Sequence, residues 1–595
     1  MIRETNLLPM RTLLIACTAA LWLTGCATYS QPPLAGHPSL PVRSLLTPEE
    51  MAPAPEEQSP HPTAFSRDVL ARLLTAEFAA QHEDYATLLR YYREVAEETH
   101  DSEVIVRAVR IAQFVKDEEA LTSLALLWAQ NEPGSIEARQ LAAFQLIKAQ
   151  KYEDAVAQME AIMDLGGASR FDRLALHARN LEPEDQKRLE ELYRQLHERH
   201  PDAHEVTLGY AMLLELTNQP ERALALTREL VRSEKAASHE QLQTLHARLL
   251  DAVEGTEASL AYLADMTRRY PDNLMLGSQY ARTLIKAERL DDAMAEYERL
   301  LSLNPDASHL KLSHALVALQ AEKFDVAREE LQSLVQTNAH KNEALFFLGR
   351  LADMEKNTDE AIRYYLSVRQ GGRFFNALGR AGYLLVENGR EDEAIAAFNS
   401  ARNQYPDQAS QLWDIQINIW LRLNRLEKAL EFAEQAIEDN PDDIQLRYAR
   451  AMLNDRLGNY EALEADLRYI LEVEPDNAVA LNALGYSYAN RNIRLLEAYD
   501  LITRALELDP DNAPAMDSMG WVKYRLGETD EALKWIERAW AKMKDPEIAA
   551  HLGELLWLKG DTERARQIWQ EGLSLEADHP VIMETLHRLG AELPQ

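Results

Sequence analysis

Three histidines and two cysteines are the residues whose types could do chemistry. His197, His200 and His204 lie beside Glu198 and Glu205 in LHERHPDAHE, and these are donor types that hold zinc. Their spacing points elsewhere, because Pro201 splits the group. The three imidazoles then fall on a helix end and a turn rather than on one face, and a solvated turn without metal is expected. Cys17 and Cys26 are the only thiols in the 595 residues. The chain has no glycine-rich phosphate loop, no HExxH and no GxSxG. With 97 acids, paired carboxylates occur everywhere and no single pair singles out a general acid and base. The expectation is a protein that is not an enzyme and carries no cofactor.

What must position any functional surface is a repeat. Alanines recur about every 34 residues, among them Ala86, Ala120, Ala155, Ala293, Ala327, Ala361, Ala394, Ala498, Ala532 and Ala565. Prolines keep the same period at Pro271, Pro305, Pro406, Pro441, Pro475, Pro510 and Pro546. In the unit that runs from Asp511 to Pro546, Met516, Met519, Val522 and Leu526 follow helical spacing until Gly527 breaks the run. A second helical run carries Ala532, Leu533, Ile536 and Ala539. Gly520 and Ala532 are small enough to let the two backbones approach. Asp476 and Asp511, each following a proline, are positioned to cap the next helix. Each unit is a helical hairpin that cannot bury its apolar face alone, so neighbours must stack.

These residues resemble the tetratricopeptide repeat family. The stretch 373–406 fits its pattern with Gly382, Gly389, Ala394, Phe398, Ala401 and Pro406, and 546–580 fits with Gly553, Gly560, Ala565, Trp569 and Pro580. The likeness covers roughly 66–595. It departs at 168–201, where Leu189 replaces the small residue and Pro183 interrupts, so that unit should be distorted. One extra residue falls in the inner turn around Asn490, Arg491 and Asn492. The resemblance implies an all-α superhelical solenoid of about fourteen hairpins. It also implies that the first helix of each hairpin lines a concave face. Matched by position, that face would carry Asn482, Tyr486 and Asn490, then Asp517, Trp521, Tyr524 and Arg525, then Trp557. Aromatic anchors among polar neighbours suit capture of an extended peptide or a partner helix.

Charge and the N-terminus bear on where such a stack would work. The net charge of -34 makes nucleic acid a poor partner and sets the body against anionic lipid. From Met10, Arg11 leads into an apolar stretch, Leu13 to Leu23, too short to span a bilayer permanently and read as a secretory signal. It ends in Leu23-Thr24-Gly25-Cys26, which resembles the lipobox of bacterial lipoproteins. That resemblance implies removal of residues 1–25 and acylation of Cys26, leaving no disulfide. Ala27, where an inner-membrane retention signal places Asp, favours the outer membrane. Residues 26–65 then form a tether with nine prolines after the cysteine, able to reach about 100 Å when fully extended. Residues 66–595 are the repeat domain.

Lipobox, proline-rich leash and a long repeat array together resemble long outer-membrane repeat lipoproteins of Gram-negative bacteria, above all those partnering a periplasmic carboxyl-terminal processing protease. The implied role is an adaptor that binds the protease and presents substrates such as peptidoglycan hydrolases. The alternative is a scaffold lipoprotein for exopolysaccharide export or outer-membrane assembly.

Overall fold

The computed structural model describes residues 65–233 and 239–593. The expected signal, the tether up to residue 64 and Cys26 lie outside the described residues. Among the described residues there are 31 α-helices and no strand. The described residues are therefore all-α, arranged as the helical hairpins that the repeat pattern predicts.

The hairpin Ala513–Arg525 and Thr529–Lys542 shows why the sequence folds this way. Met516, Met519 and Val522 on the first helix, and Ala532, Ile536 and Ala539 on the second, are all buried. Gly520 is where the helices touch. A Cβ there would meet Ile536 Cγ1 at 2.3 Å and the Ala532 carbonyl oxygen at 2.9 Å, so the close crossing excludes any side chain. Gly527 ends the first run at φ +89°, a conformation that costs glycine little.

The capping expectation needs correction by one residue. Asn477 and Asn512, not the preceding aspartates, accept from the Ala480 and Ala515 amides at 3.0 and 2.9 Å. Asp476 and Asp511 instead reach across to the second helix of their own hairpins, pairing with Arg504 at 2.5 Å and Lys542 at 2.6 Å. The cap must have extended backbone just before the first helical residue, and the turn brings the asparagine there.

The irregular units fall where the pattern departs. Phe171–His177 has seven residues and runs into a 3-10 turn, Ala178–Asn180. Pro183 does not interrupt a helix; it opens Pro183–Arg199 at a position where its missing N–H costs nothing. Leu189 is fully buried in place of the small residue. Tyr193, also fully buried, holds the pair together by donating to the Phe171 carbonyl at 2.6 Å. The extra residue near Asn490 makes a four-residue link, 491–494, with Asn492 and Arg494 at positive φ.

The chain divides after Lys323 into two compact units. The first holds seven hairpins between Arg67 and Leu303, then Ser308–Gln320. Its core includes Tyr152, Phe171, Tyr193 and Tyr297. The second begins with Phe324–Gln336, continues through seven hairpins from Lys341 to Leu575, and ends with Pro580–Leu589. Phe347, Phe398, Trp420, Tyr488 and Trp569 fill its core. This unit also buries a charge. Asp466 is 2% exposed and accepts from Arg450 Nε and Nη2 at 2.8 and 2.5 Å. Among the described residues no helix is long and apolar enough to cross a membrane.

Candidate partner-binding surface

Three successive first helices carry the residues expected to bind a partner: Ala478–Asn490, Ala513–Arg525 and Pro546–Leu558. On each, positions four apart share a face, which aligns Asn482, Tyr486 and Asn490, and likewise Asp517, Trp521 and Arg525. The structure brings Tyr486, Asp517 and Trp521 together around a residue that the sequence reading missed, His551. Its Nδ1 lies 2.8 Å from Asp517 Oδ2, and its ring stacks on the Trp521 indole with centroids 4.0 Å apart. From the hairpin before, Tyr486 Oη donates to Glu547 Oε1 at 2.6 Å and sits 3.5 Å from His551 Nε2. A polar seam thus links three hairpins, with Tyr486 reaching past its neighbour to the next. Asp517 and His551 are 34 residues apart, one repeat, so the repeat register did contain the signal for this pair.

Burial removes two of the expected residues from the open surface. Trp521 is 3% exposed and Asp517 4%, so both belong to the packing between hairpins. The flat rings of Trp521 and His551 fill the space there, and the Asp517 carboxylate is committed to the imidazole. Tyr486 is half-buried with its hydroxyl engaged on Glu547. Asn490 is exposed, and Asn482, Tyr524, Arg525 and Trp557 keep part of their surface. The Arg525 guanidinium lies over the Trp521 and Tyr524 rings at 4.7 and 5.7 Å, with Nη2 3.5 Å from the Asn490 carbonyl oxygen. Trp557 stands against Trp569 of its own hairpin, centroids 5.7 Å apart, with Arg566 over its ring at 5.1 Å.

Electrostatics favour a protonated His551. Burial alone would lower its pKa, but Asp517, then Glu547 and Glu554, outweigh burial and raise it. Tyr486 keeps its proton, since burial and Glu547 push its pKa well above the usual value. Because the folded His551 value is raised, its stabilising contribution is complete below the unfolded value of about 6.5. That contribution is lost as pH rises through the folded value. Thermal melts at pH 6 and pH 9 should therefore show a larger loss for the wild type than for His551→Gln. Equal losses would mean that the imidazolium contributes nothing to stability.

The other histidines are dispersed. His200 Nε2 lies 2.7 Å from Glu160 Oε1, while His197 Nδ1 meets Thr207 Oγ1 at 3.0 Å. Glu205 turns away to accept from the Ser169 amide and hydroxyl at 3.2 and 2.5 Å. Among the described residues no group of three His, Cys, Asp or Glu is arranged to hold a metal ion.

Models of the tetratricopeptide repeat match residues 278–307, 312–374 and 380–444. The chain is 37% identical over 588 residues to the TPR repeat-containing protein PA4667 of Pseudomonas aeruginosa, covering 98% of each chain. Among solved structures, it is 23% identical to a thermophilic TPR protein of Thermus thermophilus, covering 31% of this chain and 97% of that one, with a TM-score of 0.28. A tetratricopeptide repeat protein of Parabacteroides merdae is 18% identical, with 42% and 98% covered and a TM-score of 0.34. The relative in Pseudomonas aeruginosa matches nearly end to end, and its name and the matching models agree on the same repeat. The chain belongs to the tetratricopeptide repeat family.

Proposed function

We propose that this protein is a periplasmic adaptor, anchored to the outer membrane through lipid on Cys26, that turns over nothing itself. It binds a carboxyl-terminal processing protease and presents proteins such as peptidoglycan hydrolases for degradation. The observation that carries this reading is the two runs of helical hairpins, Arg67 to Leu303 and Lys341 to Leu575, an architecture whose use is the binding of other proteins. Leu23-Thr24-Gly25-Cys26 and the proline-rich stretch after it support the anchor. Acylation at both sulfur and amine would supply the two signals that stable anchoring needs.

Partner capture is assigned to the surface that Asn490, Tyr524, Arg525 and Trp557 leave open, with the buried Asp517 and Trp521 supporting it from beneath. An aromatic anchor in an interface contributes about 2 kcal/mol, roughly thirtyfold in affinity. Tyr524→Ala should weaken capture by about that factor while shifting the melting temperature little. A lowered melt with intact capture would place Tyr524 in the core instead.

Two measurements test the assignment. Intact mass of the membrane-extracted protein should show residues 1–25 gone and acyl chains added, and Cys26→Ser should wash free of membranes. Co-purification of the tagged protein from detergent-solubilised cells should bring down a carboxyl-terminal processing protease. Recovery of polymer-export components in its place would reject the protease partner.

A further inference from the structure

A second polar site lies between two successive hairpins, 374–404 and 409–439, and shares no residue with the surface just described. Asn399 and Arg402 come from the last turns of Glu391–Gln404, Trp413 from Ala409–Arg422, and Glu438 and Asp439 from the end of Leu426–Asp439. Together they line a cavity of about 600 Å³. Its cation is unusual for so acidic a chain. Arg402 is 9% exposed, yet it donates only to amide oxygens, Gln416 Oε1 at 2.7 Å and Asn399 Oδ1 at 2.5 Å. No carboxylate pairs with it among the described residues. The guanidinium lies flat on the Trp413 ring, 3.4 Å from its centroid. Burial lowers its pKa to about 10, and Asp439 nearby offsets only part of that cost.

Around the guanidinium, some donors are left unspent. Gln416 is 0% exposed and Trp413 4%, and Gln416 Nε2 and Trp413 Nε1 are both buried without a hydrogen-bond partner. Asn399 has already given its oxygen to Arg402. Of Gln416 and Trp413, it is Trp413 that lines the cavity, and a buried cation beside its unspent N–H is the complement of an acceptor-only anion; a planar carboxylate fits the guanidinium fork with two parallel bonds. At the same cavity, Glu438 and Asp439 are exposed carboxylates, which would repel a ligand of purely negative charge. One chemical class satisfies both ends.

We infer that the Arg402–Trp413 cavity binds a small zwitterion of amino-acid or short-peptide type, its carboxylate on Arg402 and its ammonium at Glu438 and Asp439. The cavity has room for a dipeptide or a somewhat longer ligand. Nothing in this assignment depends on the proposed protease partner.

Calorimetry on the detergent-solubilised full chain tests it, with alanyl-alanine as the probe. The dipeptide should bind saturably, and its C-terminal amide at least about tenfold more weakly, since a charged hydrogen-bonded contact is lost. N-acetylation should also weaken binding. Arg402→Gln should remove the preference for the free acid. Glu438→Gln with Asp439→Asn, both on the exposed rim where folding is not at stake, should weaken the dipeptide but spare its N-acetyl form. Equal binding of acid and amide, or no saturable heat up to about 10 mM dipeptide, would overturn the site. Unchanged dipeptide affinity in the Glu438 and Asp439 double variant would overturn the zwitterion assignment.

Discussion

Gly553→Leu is expected to unfold the last hairpin while leaving distant ones intact. A Cβ at Gly553 would lie 2.2 Å from Trp569 Nε1 and 2.4 Å from Cε2. Trp569 is fully buried, and its indole donates to the Ala550 carbonyl at 3.3 Å, so the ring has nowhere to retreat. Overpacking of this kind costs about 3 kcal/mol or more when backbone must move. In a repeat array each hairpin is stabilised by its neighbours, so the damage should stay local. Hydrogen exchange should rise in Pro546–Leu558 and Thr562–Leu575 long before it rises in Phe374–Glu387. Simultaneous loss of protection in all three helices would mean that the unit unfolds as one body.

Arg450→Met should be nearly as damaging, for an electrostatic reason. It would leave the Asp466 carboxylate, 2% exposed, without the two hydrogen bonds that Arg450 gives it. Arg447, the other nearby cation, sits 3.8 Å from Asp466 Oδ1 and is held over the Tyr469 ring at 3.7 Å, so it replaces the lost contact poorly. Orphaning a buried charge costs about 3 kcal/mol or more, whereas replacing both partners with apolar groups is often close to neutral. Urea denaturation should therefore show Arg450→Met strongly destabilised and Arg450→Met with Asp466→Leu largely restored. A double variant as unstable as the single one would show that packing of the arginine stem, not charge, is what matters.

The fold was legible in the sequence because its determinants are local and recur. Gly520 opposite Ala532, Gly527 in the turn, and the apolar spacing of Met516, Met519 and Val522 specify one hairpin, and the period copies it. Leu189 and Pro183 marked the irregular unit for the same reason, although Pro183 starts a helix where an interruption was expected. The division after Lys323 was not visible, since the alanine period runs through it without change, from Ala293 to Ala327 and Ala361. The surface was only partly legible. Position in the repeat placed Tyr486, Asp517 and Trp521 on neighbouring first helices, but which of them stay open depends on what the next hairpin inserts. His551 closes over Trp521 and Asp517, and that contact is set by tertiary packing two helices further along the chain. Arg402 escaped notice because a lone arginine in a helix carries no pattern. That it donates to amide oxygens and not to a carboxylate shows only when Gln416 and Asn399 are seen around it.

This chain is expected to alter another enzyme's output without catalysis of its own. The direct test is reconstitution of the purified, lipidated chain with a periplasmic carboxyl-terminal processing protease and a peptidoglycan hydrolase, with hydrolase decay followed over time. Decay should be faster when the chain is present, absent when chain and hydrolase are mixed without protease, and less accelerated with Tyr524→Ala. Identical decay with and without the chain, across every such protease of the cell, would contradict the adaptor role.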